Sequence, residues 1–217
     1  WVMDSLPKTK EGGFQHITSD TLNDGELWDD TLFMTVLVLA NMGRILGRQD
    51  YTDEAVYQFL LHTKYLADKK TGLWYHGFTF HGNHNFAGAF WGRGNCWVTI
   101  AIPLLLEMLP VGQPARRILV NALENQIASL AISHSESYGK ELIDDPTSYV
   151  EASATSGFGY GILKAVHMGL VDAAYAENAK KALAPILKCI REDGIVDQVS
   201  YGTAMGRETK DFYKQIP

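Results

Sequence analysis

Two adjacent aspartates, Asp29 and Asp30, stand at the start of a long apolar run that reads LWDDTLFMTVLVLANMG. Burying an unpaired carboxylate costs free energy, so such a pair usually caps a helix, meets a partner or takes part in chemistry. On a helix the two side chains point about 100° apart, and they cannot both face one direction. Either carboxylate would lie near the positive end of the helix dipole. Geometry alone therefore does not choose between the two.

Aromatic, histidine and arginine side chains cluster in three further short motifs. EGGFQHIT holds His16, GLWYHGF holds Trp74 and His76, and FWGRGNCW holds Trp91, Arg93 and Trp97. Aromatic faces can stack on sugar rings, whose axial C–H bonds are weakly polarised. The planar guanidinium of Arg93 can hold a carboxylate through two hydrogen bonds. A cavity that combines these groups with a carboxylic acid would suit an acidic sugar.

Three other features are less specific. His81 and His84 form an HxxH pair, but no third ligand is suitably spaced, so a solvated loop is favoured over a metal site. The GRGN stretch lacks the preceding strand and the following Lys-Ser/Thr of a phosphate-binding loop. Glu151, in YVEASATSGF, could either cap a helix or line a cavity. We therefore predict no metal and no nucleotide site.

The amino-acid composition of the chain limits the classes of partner that it can bind. The chain has 217 residues, of which 46% are hydrophobic, so it can bury a core and fits one domain over residues 1–217, or a part of a longer one. The net charge is -6, and the basic residues are scattered, which argues against nucleic acid as a partner. The sequence contains no apolar run of transmembrane length and no signal-peptide pattern at its start, so we expect no membrane partner.

The two cysteines, Cys96 and Cys189, lie far apart in apolar helical patterns. They suggest neither a disulfide framework nor a cysteine metal site. A reducing compartment is the simplest interpretation, and we expect a cytoplasmic protein. The oligomeric state cannot be read from the sequence.

Helical periodicity dominates the chain. Apolar residues recur at i, i+3 and i+4 in six segments: 26–47, 52–68, 92–109, 113–132, 148–168 and 172–191. Strands are nearly absent. In NDGE, Asn23 and Glu26 have the spacing of a capping box, which predicts the start of the first helix. Gly47 marks its end, and Pro103 predicts a kink or a break in the third helix.

A recurring turn separates the helices. Polar or charged residues precede a glycine and a short extended piece at Gly13, Gly72, Gly139 and Gly194, which lie 59, 67 and 55 residues apart. Each interval accommodates a hairpin of two helices of about 20 residues. One helix of each pair is rich in small residues and suits an inner ring, whereas the other is amphipathic and suits an outer ring. We predict an all-α fold, an α/α toroid, although a linear helical solenoid gives a similar signal.

The motifs WDDTLFM, GLWYHG and FWGRGNCW, in this order, resemble the unsaturated glucuronyl and rhamnogalacturonyl hydrolases of glycoside hydrolase families 88 and 105, especially the latter. The resemblance extends to EGGFQHIT, YVEASATSGFGYGI and KDFYKQIP. It implies an (α/α)6 barrel of six hairpins, of which this chain would form about half. It also implies removal of a 4,5-unsaturated uronic acid from the non-reducing end of a pectin or glycosaminoglycan fragment, with no metal or organic cofactor.

The resemblance also assigns roles. The family's catalytic acid lies in a motif Trp-x-Asp-x-Leu-aromatic-Met, which is matched with Asp30, and not Asp29, at the acidic position. The family positions that surround the unsaturated sugar, or add aromatic walls to its site, correspond to His16, Trp28, His76, Trp91, Arg93 and Trp97. A second active-site aspartate of the family would fall before Trp1. Without a role in the reaction, Asp29 is expected to cap the helix or to form a surface ion pair.

Two alternative functions stay open. One is another α/α-barrel activity on carbohydrates, such as a sugar epimerase or an inverting glycosidase. The other is a non-catalytic carbohydrate-binding fragment. Loss of the ultraviolet absorbance of an unsaturated substrate would separate hydration from both, because only hydration removes the conjugated double bond.

Overall fold

The computed structural model describes residues 1–133 and 139–216, and the helical prediction is confirmed over most of this range. The helices are α1 (Asp29–Leu46), α2 (Gln49–Leu66), α3 (Gly92–Met108), α4 (Ala115–Ser133), α5 (Ala152–His167), α6 (Tyr175–Lys180), α7 (Leu183–Cys189) and α8 (Asp211–Lys214). The sixth predicted segment, 172–191, is divided into the two short helices α6 and α7. Helix α3 is continuous through Pro103. Among the described residues, no helix combines the length and apolarity that a membrane span requires.

Short strands flank the helices. They are β1 (Ile17–Thr18), β2 (Thr21–Leu22), β3 (Glu26–Trp28) and β4 (Gly77–Thr79). Strand β1 pairs with β2, and β3 pairs with β4, both antiparallel. The second pair ties the start of α1 to the segment that precedes α3, because Trp28 lies opposite Gly77.

The predicted capping box is wrong. Helix α1 begins at Asp29, and its N-cap is Trp28, which makes no side-chain cap hydrogen bond. Glu26 lies in β3, where its carboxylate accepts hydrogen bonds from Trp28 Nε1 (2.9 Å) and from Arg207 Nη1 (2.7 Å). Asn23 donates to the carbonyl of His16. Tertiary partners therefore take both side chains that a local capping box would have used.

The helices form two layers. Helix α1 packs against α3, and α3 packs against α5, so these three make the inner layer. Helices α2, α4 and α6 pack against α1, α3 and α5 respectively from the outside. Glycines permit the close inner contact, because a Cβ at Gly161 would collide with the backbone of Thr99 and one at Gly157 with Cys96. The predicted inner helix of small residues is thus α5.

One backbone hydrogen bond recurs at the start of every inner helix. It joins the N–H of Asp29 to the carbonyl of His76 (3.0 Å), Gly92 to Glu141 (2.8 Å) and Ala152 to Gln198 (2.7 Å). In each case the first residue of the inner helix donates to the turn that precedes the next inner helix or follows the last outer one. This repetition shows that the three hairpins share one local plan.

The predicted turn glycines adopt the left-handed conformation with one exception. Gly72, Gly139 and Gly194 have φ angles of 75°, 65° and 84°. In the first turn the left-handed residue is Gly12, with φ 80°, and not the predicted Gly13. The polar residues that open the third predicted turn fall within 134–138 and lie outside the described residues.

Candidate active site

A cavity of about 340 Å³ opens beside the N-terminal ends of α1 and α3. It is lined by His16, Thr18, Trp28, Asp30, Trp91, Arg93, Trp97, Gly202, Thr203 and Ala204. Six of the seven predicted site residues line it directly. The seventh, His76, is 1% exposed and contacts Asp30 from behind. Residues separated by more than 80 positions in the sequence thus converge on one small volume.

The repeated local plan explains this convergence. Trp28 and Trp91 are the N-caps of α1 and α3, and both have an extended backbone. The residue two positions after each tryptophan lines the cavity: Asp30 on α1 and Arg93 on α3. The same place in two successive hairpins therefore presents an acid and a guanidinium to one cavity.

The two adjacent aspartates lie in different environments. Asp29 is fully buried, and neither carboxyl oxygen has a hydrogen-bond partner among the described residues. Its carboxyl group packs against Gly94, in the space that a Cβ at position 94 would need. The expectation of a helix cap or a surface ion pair at Asp29 is therefore wrong. The side chain of Asp30 is 15% exposed and lines the cavity.

Burial and mutual repulsion give the two carboxyls different proton affinities. Burial, and next the charge of Asp30, raise the pKa of Asp29 well above its usual value and favour the neutral form of its carboxyl group. Burial also acts to raise the pKa of Asp30, but a hydrogen bond from His76 and the potential of both nearby histidines outweigh it. The pKa of Asp30 therefore lies below its usual value. His76 Nε2 lies 3.1 Å from Asp30 Oδ2.

His16 forms one wall of the cavity together with Trp28. The two rings stack in parallel, with centroids 4.1 Å apart and planes 5° apart. His16 Nδ1 lies 2.8 Å from Thr31 Oγ1. Burial lowers the pKa of His16, and the charge of Asp30 only partly opposes this effect. His16 is therefore a largely neutral ring near pH 7, able to exchange hydrogen bonds.

Arg93 is held by the segment that closes the other side of the cavity. Its Nη2 donates to the carbonyl of Ser200 (2.9 Å), to the Ser200 hydroxyl and to Thr203 Oγ1 (3.2 Å). The guanidinium also lies over the Trp91 ring at 5.3 Å. Its buried Nε has no hydrogen-bond partner among the described residues. Arg93 therefore retains donor capacity while its orientation is fixed.

A buried acid pair behind Arg93 was not anticipated from the sequence. Glu141 accepts from Trp91 Nε1 (3.0 Å) and from Ser200 Oγ (3.2 Å). Burial, and next the charge of Glu151, raise the pKa of Glu141 to about 7. Glu151 caps α5 by accepting from Ala154 N–H at 2.6 Å, which decides between its two alternatives in favour of the cap.

The tryptophans differ in what they can offer a ligand. Trp28 and Trp91 are only 3% and 1% exposed, whereas Trp97 is half-buried and borders the cavity. Trp74 is fully buried against Phe59 and does not line this cavity. A sugar ring would therefore find its largest aromatic surface at Trp97.

One further cavity adjoins the site, and another lies apart from it. One of about 470 Å³ shares Arg93 and Trp97 with the first cavity and continues between α3 and α5, where Ile100, Tyr160 and Val199 give it an apolar lining. A larger one of about 570 Å³ lies between α2 and α4 and contains none of the predicted site residues. The site can therefore extend along the inner helices.

One group of side chains could in principle hold a metal ion. Ligand atoms of Asp29, Asp30 and His76 all lie within 4.8 Å of one another. Among the described residues the HxxH pair is not part of such a group: His81 Nε2 lies 3.1 Å from Asp24 Oδ2, and His84 Nδ1 accepts from the N–H of Phe86. The absence of a metal from the reaction stays a prediction.

Tyr213 is a further residue at the site that sequence reasoning missed. Its phenol oxygen lies 2.6 Å from His76 Nδ1, although 137 positions separate the two residues. The signal that could have pointed to it is the closing KDFYKQIP, which contributed to the family resemblance without a role for any residue.

Comparison with known proteins gives a consistent family. The model of Glycosyl Hydrolase Family 88 matches residues 1–217. A Bacillus subtilis protein named Unsaturated rhamnogalacturonyl hydrolase YesR is 31% identical over 220 residues, which cover all of this chain and 62% of that protein.

Solved structures agree in fold. A protein from Salmonella enterica serovar Paratyphi A, described as a possible member of the GH105 family, superposes with a TM-score of 0.96 at 52% identity and covers all of this chain. This chain covers 58% of that protein. The unsaturated glucuronyl hydrolase of Bacillus sp. GL1 has a TM-score of 0.68 at 18% identity, with 94% of this chain and 60% of the other covered, and shows the shared fold alone.

The chain thus spans about three fifths of the length of these relatives. The helical hairpins, the arrangement of WDD and WGRGN around one cavity, and the match to the family model all agree. The chain belongs to Glycosyl Hydrolase Family 88.

Proposed function

We propose that the protein removes a 4,5-unsaturated uronic acid from the non-reducing end of a short oligosaccharide by hydration of the C4=C5 double bond. The observation that carries this proposal is that Asp30 is the sole carboxyl group among the described residues lining the 340 Å³ cavity. Ordinary glycosidases need two carboxyl groups on either side of the scissile bond. Hydration needs one group that first donates a proton and then accepts one.

In the proposed reaction Asp30 protonates C4 of the unsaturated ring, and positive charge develops at C5. A water molecule adds to C5 and gives a proton to the Asp30 carboxylate, which restores the acid. The product is a hemiketal at C5. Opening of this hemiketal gives a ketone at C5 and a hemiacetal at C1. Collapse of the hemiacetal to an aldehyde expels the leaving sugar as an alcohol, so the glycosidic bond breaks without a second protein carboxyl group.

Asp30 would take up its proton from solvent when the substrate binds. In the free protein the pKa of Asp30 is lowered, so its carboxyl group is ionised near pH 7. An anionic sugar close to this carboxylate raises the pKa of Asp30, because like charges disfavour ionisation. Asp29 is sealed against Gly94 and does not line the cavity, so it takes no direct part.

Arg93 is the proposed partner of the sugar carboxylate. Its guanidinium borders the cavity, and the planar fork of donors is suited to a charge-assisted hydrogen bond with a carboxylate. His16, Trp28, Trp91 and Trp97 would enclose the ring, and His76 would act through Asp30. No metal and no organic cofactor takes part in the proposed reaction.

The neighbouring apolar cavity supports a place for the leaving sugar. It adjoins the proposed ring position through Arg93 and Trp97. The Bacillus subtilis relative is named a rhamnogalacturonyl hydrolase, which favours a pectin fragment as substrate over a glycosaminoglycan fragment.

The test uses the full-length protein with an unsaturated disaccharide and its saturated counterpart. We expect the ultraviolet absorbance of the conjugated acid to disappear, with release of the leaving sugar, while the saturated disaccharide is not cleaved. Cleavage of the saturated substrate would instead support an inverting glycosidase. Binding by calorimetry without loss of absorbance would indicate a carbohydrate-binding protein, and it would overturn the proposed hydrolysis.

A further inference from the structure

A phenol is built into the wall behind the cavity. Tyr213 lies in α8 and is fully buried, and its oxygen lies 2.6 Å from His76 Nδ1. On the far side of the imidazole, His76 Nε2 lies 3.1 Å from Asp30 Oδ2. Tyr213 thus contacts neither the cavity nor Asp30, and it reaches the proposed catalytic acid only through His76.

The neighbours of the phenol decide where its proton points. The backbone N–H of Gly206 donates to Tyr213 Oη at 3.1 Å, so one lone pair of the oxygen is taken. The remaining polar neighbours are Met205 Sδ at 3.8 Å and His76 Nδ1. Thioether sulfur is a weak acceptor, and the imidazole nitrogen is a strong one. The phenol proton therefore goes to His76 Nδ1.

This assignment fixes the tautomer of His76. A nitrogen that accepts a hydrogen bond carries no proton, so neutral His76 must carry its proton on Nε2. That N–H points to Asp30 Oδ2 and donates to it. The opposite tautomer would place the Nε2 lone pair against the carboxylate, and the hydrogen bond to Asp30 would be lost.

We propose that Tyr213 is a positioning residue, which holds His76 in the Nε2–H tautomer and in the orientation that donates to Asp30. This inference rests on the proposed role of Asp30. The other titratable groups facing this cluster are Asp29 on α1, His16 in the N-terminal segment and Glu141 behind Trp91. None of them makes a hydrogen bond to either nitrogen of His76 in the described structure.

Burial raises the pKa of Tyr213, which keeps the phenol protonated throughout the pH range of a working enzyme. The C-terminal segment also holds the ring in place, because the carbonyl of Gly206 accepts from Ala87 N–H and Met205 packs against Gly77. The donor to His76 is therefore permanent and fixed in direction.

The direct test reads the tautomer itself. Two-bond correlations between ring protons and ring nitrogens, measured by NMR on the full-length protein, distinguish Nε2–H from Nδ1–H. We expect wild-type His76 to be in the Nε2–H form, and Tyr213→Phe to show the other tautomer or a mixture. An Nδ1–H form in the wild type, or an unchanged tautomer in Tyr213→Phe, would overturn the proposal. This measurement requires no turnover, so its result is separable from that of the absorbance assay.

Kinetics supply the second readout. Tyr213→Phe should lower kcat about 10- to 100-fold, the range that loss of an outer hydrogen bond costs at metal-bound histidines. KM should change little. The limb of the pH profile controlled by Asp30 should move to higher pH, because its carboxylate loses an N–H donor. In a His76→Ala background the same substitution should have no further effect on kcat, since Tyr213 acts through His76.

Tyr57→Phe is the matched control. It also removes a phenol that donates to a backbone carbonyl, that of Glu11, but Tyr57 neither bonds His76 nor lines the cavity. We expect an unchanged tautomer, kcat and pH profile. Equal losses in both variants, or a full additional loss from Tyr213→Phe in the His76→Ala background, would show a merely structural role.

Discussion

The N-terminal ends of α1 and α3 have the same backbone arrangement but present opposite charges to the cavity. Each follows a buried tryptophan N-cap, and the tryptophan pairs with the next turn, Trp28 with Gly77 and Trp91 with Leu142. Two positions later the first helix presents Asp30 and the second presents Arg93. The repeated backbone fixes where a side chain lies, and the residue type decides which charge the cavity receives.

The turn residues continue this contrast. His76 and Glu141 accept equivalent backbone hydrogen bonds, but they face opposite charges. His76 meets the acid Asp30 directly, whereas Glu141 is linked to Arg93 through the hydroxyl of Ser200. In both repeats, then, the turn supplies a partner of complementary character to the residue that lines the cavity. Four predictions test how far the two halves of the site are distinct.

Among these four, the largest expected effect is at the cationic half. Arg93→Ala should lower kcat/KM roughly 30-fold or more, because loss of one partner of a buried charged hydrogen bond costs about 2–5 kcal/mol. The same variant should act on the methyl ester of the unsaturated substrate as well as the wild type does, since the ester carries no charge. Ser200→Ala removes one contact of Arg93 and should cost less than tenfold. An equal loss on acid and ester would refute the carboxylate clamp.

Glu141 should make the stability of the protein depend on pH. Its folded pKa is raised to about 7 from 4.5, so the folded protein retains a proton that the unfolded chain has lost. Its contribution to stability is complete below about pH 4.5 and is lost as pH rises through 7. The difference between the folded and unfolded pKa values of Glu141 corresponds to a loss of roughly 3 kcal/mol at most in the free energy of unfolding. Between these pH values the free energy of unfolding, measured with denaturant, should fall less steeply in Glu141→Gln than in the wild type. The same pH dependence in both proteins would contradict the raised pKa of Glu141.

The two helix starts also interlock. Gly94→Ala should destabilise the protein by about 1–3 kcal/mol, because the new Cβ would overlap the buried carboxyl group of Asp29. Adding Asp29→Ala should restore most of this loss, as thermal unfolding can show. Gly112→Ala is the control, since its Cβ would meet no atom within 4 Å. A destabilisation that persists in the double variant would show that Asp29 is not the obstacle.

The smallest expected effect concerns metal. Although Asp29, Asp30 and His76 lie close enough to share an ion, we expect exhaustive dialysis against a chelator to leave the rate of absorbance loss unchanged. Loss of activity that is recovered on adding back a divalent cation would show that the acidic half works through a metal.

Local patterns predicted much of the fold. The first four helical segments agree with α1 to α4 to within a few residues, because helical periodicity, Gly47 and the glycine turns are read directly from neighbouring residues. The start of α1 could not be predicted in this way. Glu26 looks like part of a capping box, but its actual partners are Trp28 and the distant Arg207.

The candidate site, too, was predictable only where local sequence carries the signal. The family motif selected Asp30 over Asp29, and the structure supplies a physical reason that the motif lacks: the Asp29 side chain fills the space beside Gly94. Tyr213 and Ser200 could not be found by spacing, because each meets its partner more than 100 residues away. Contacts between repeats become visible only once the hairpins are packed.

The central claim is that the two neighbouring aspartates have different roles, and one measurement tests it most directly. Asp30→Asn and Asp29→Asn of the full-length protein are assayed side by side for loss of ultraviolet absorbance from an unsaturated disaccharide, with folding checked by circular dichroism. We expect Asp30→Asn to lose at least about a hundredfold in rate and Asp29→Asn to retain most of it. More than a few percent of wild-type activity in folded Asp30→Asn would contradict the account.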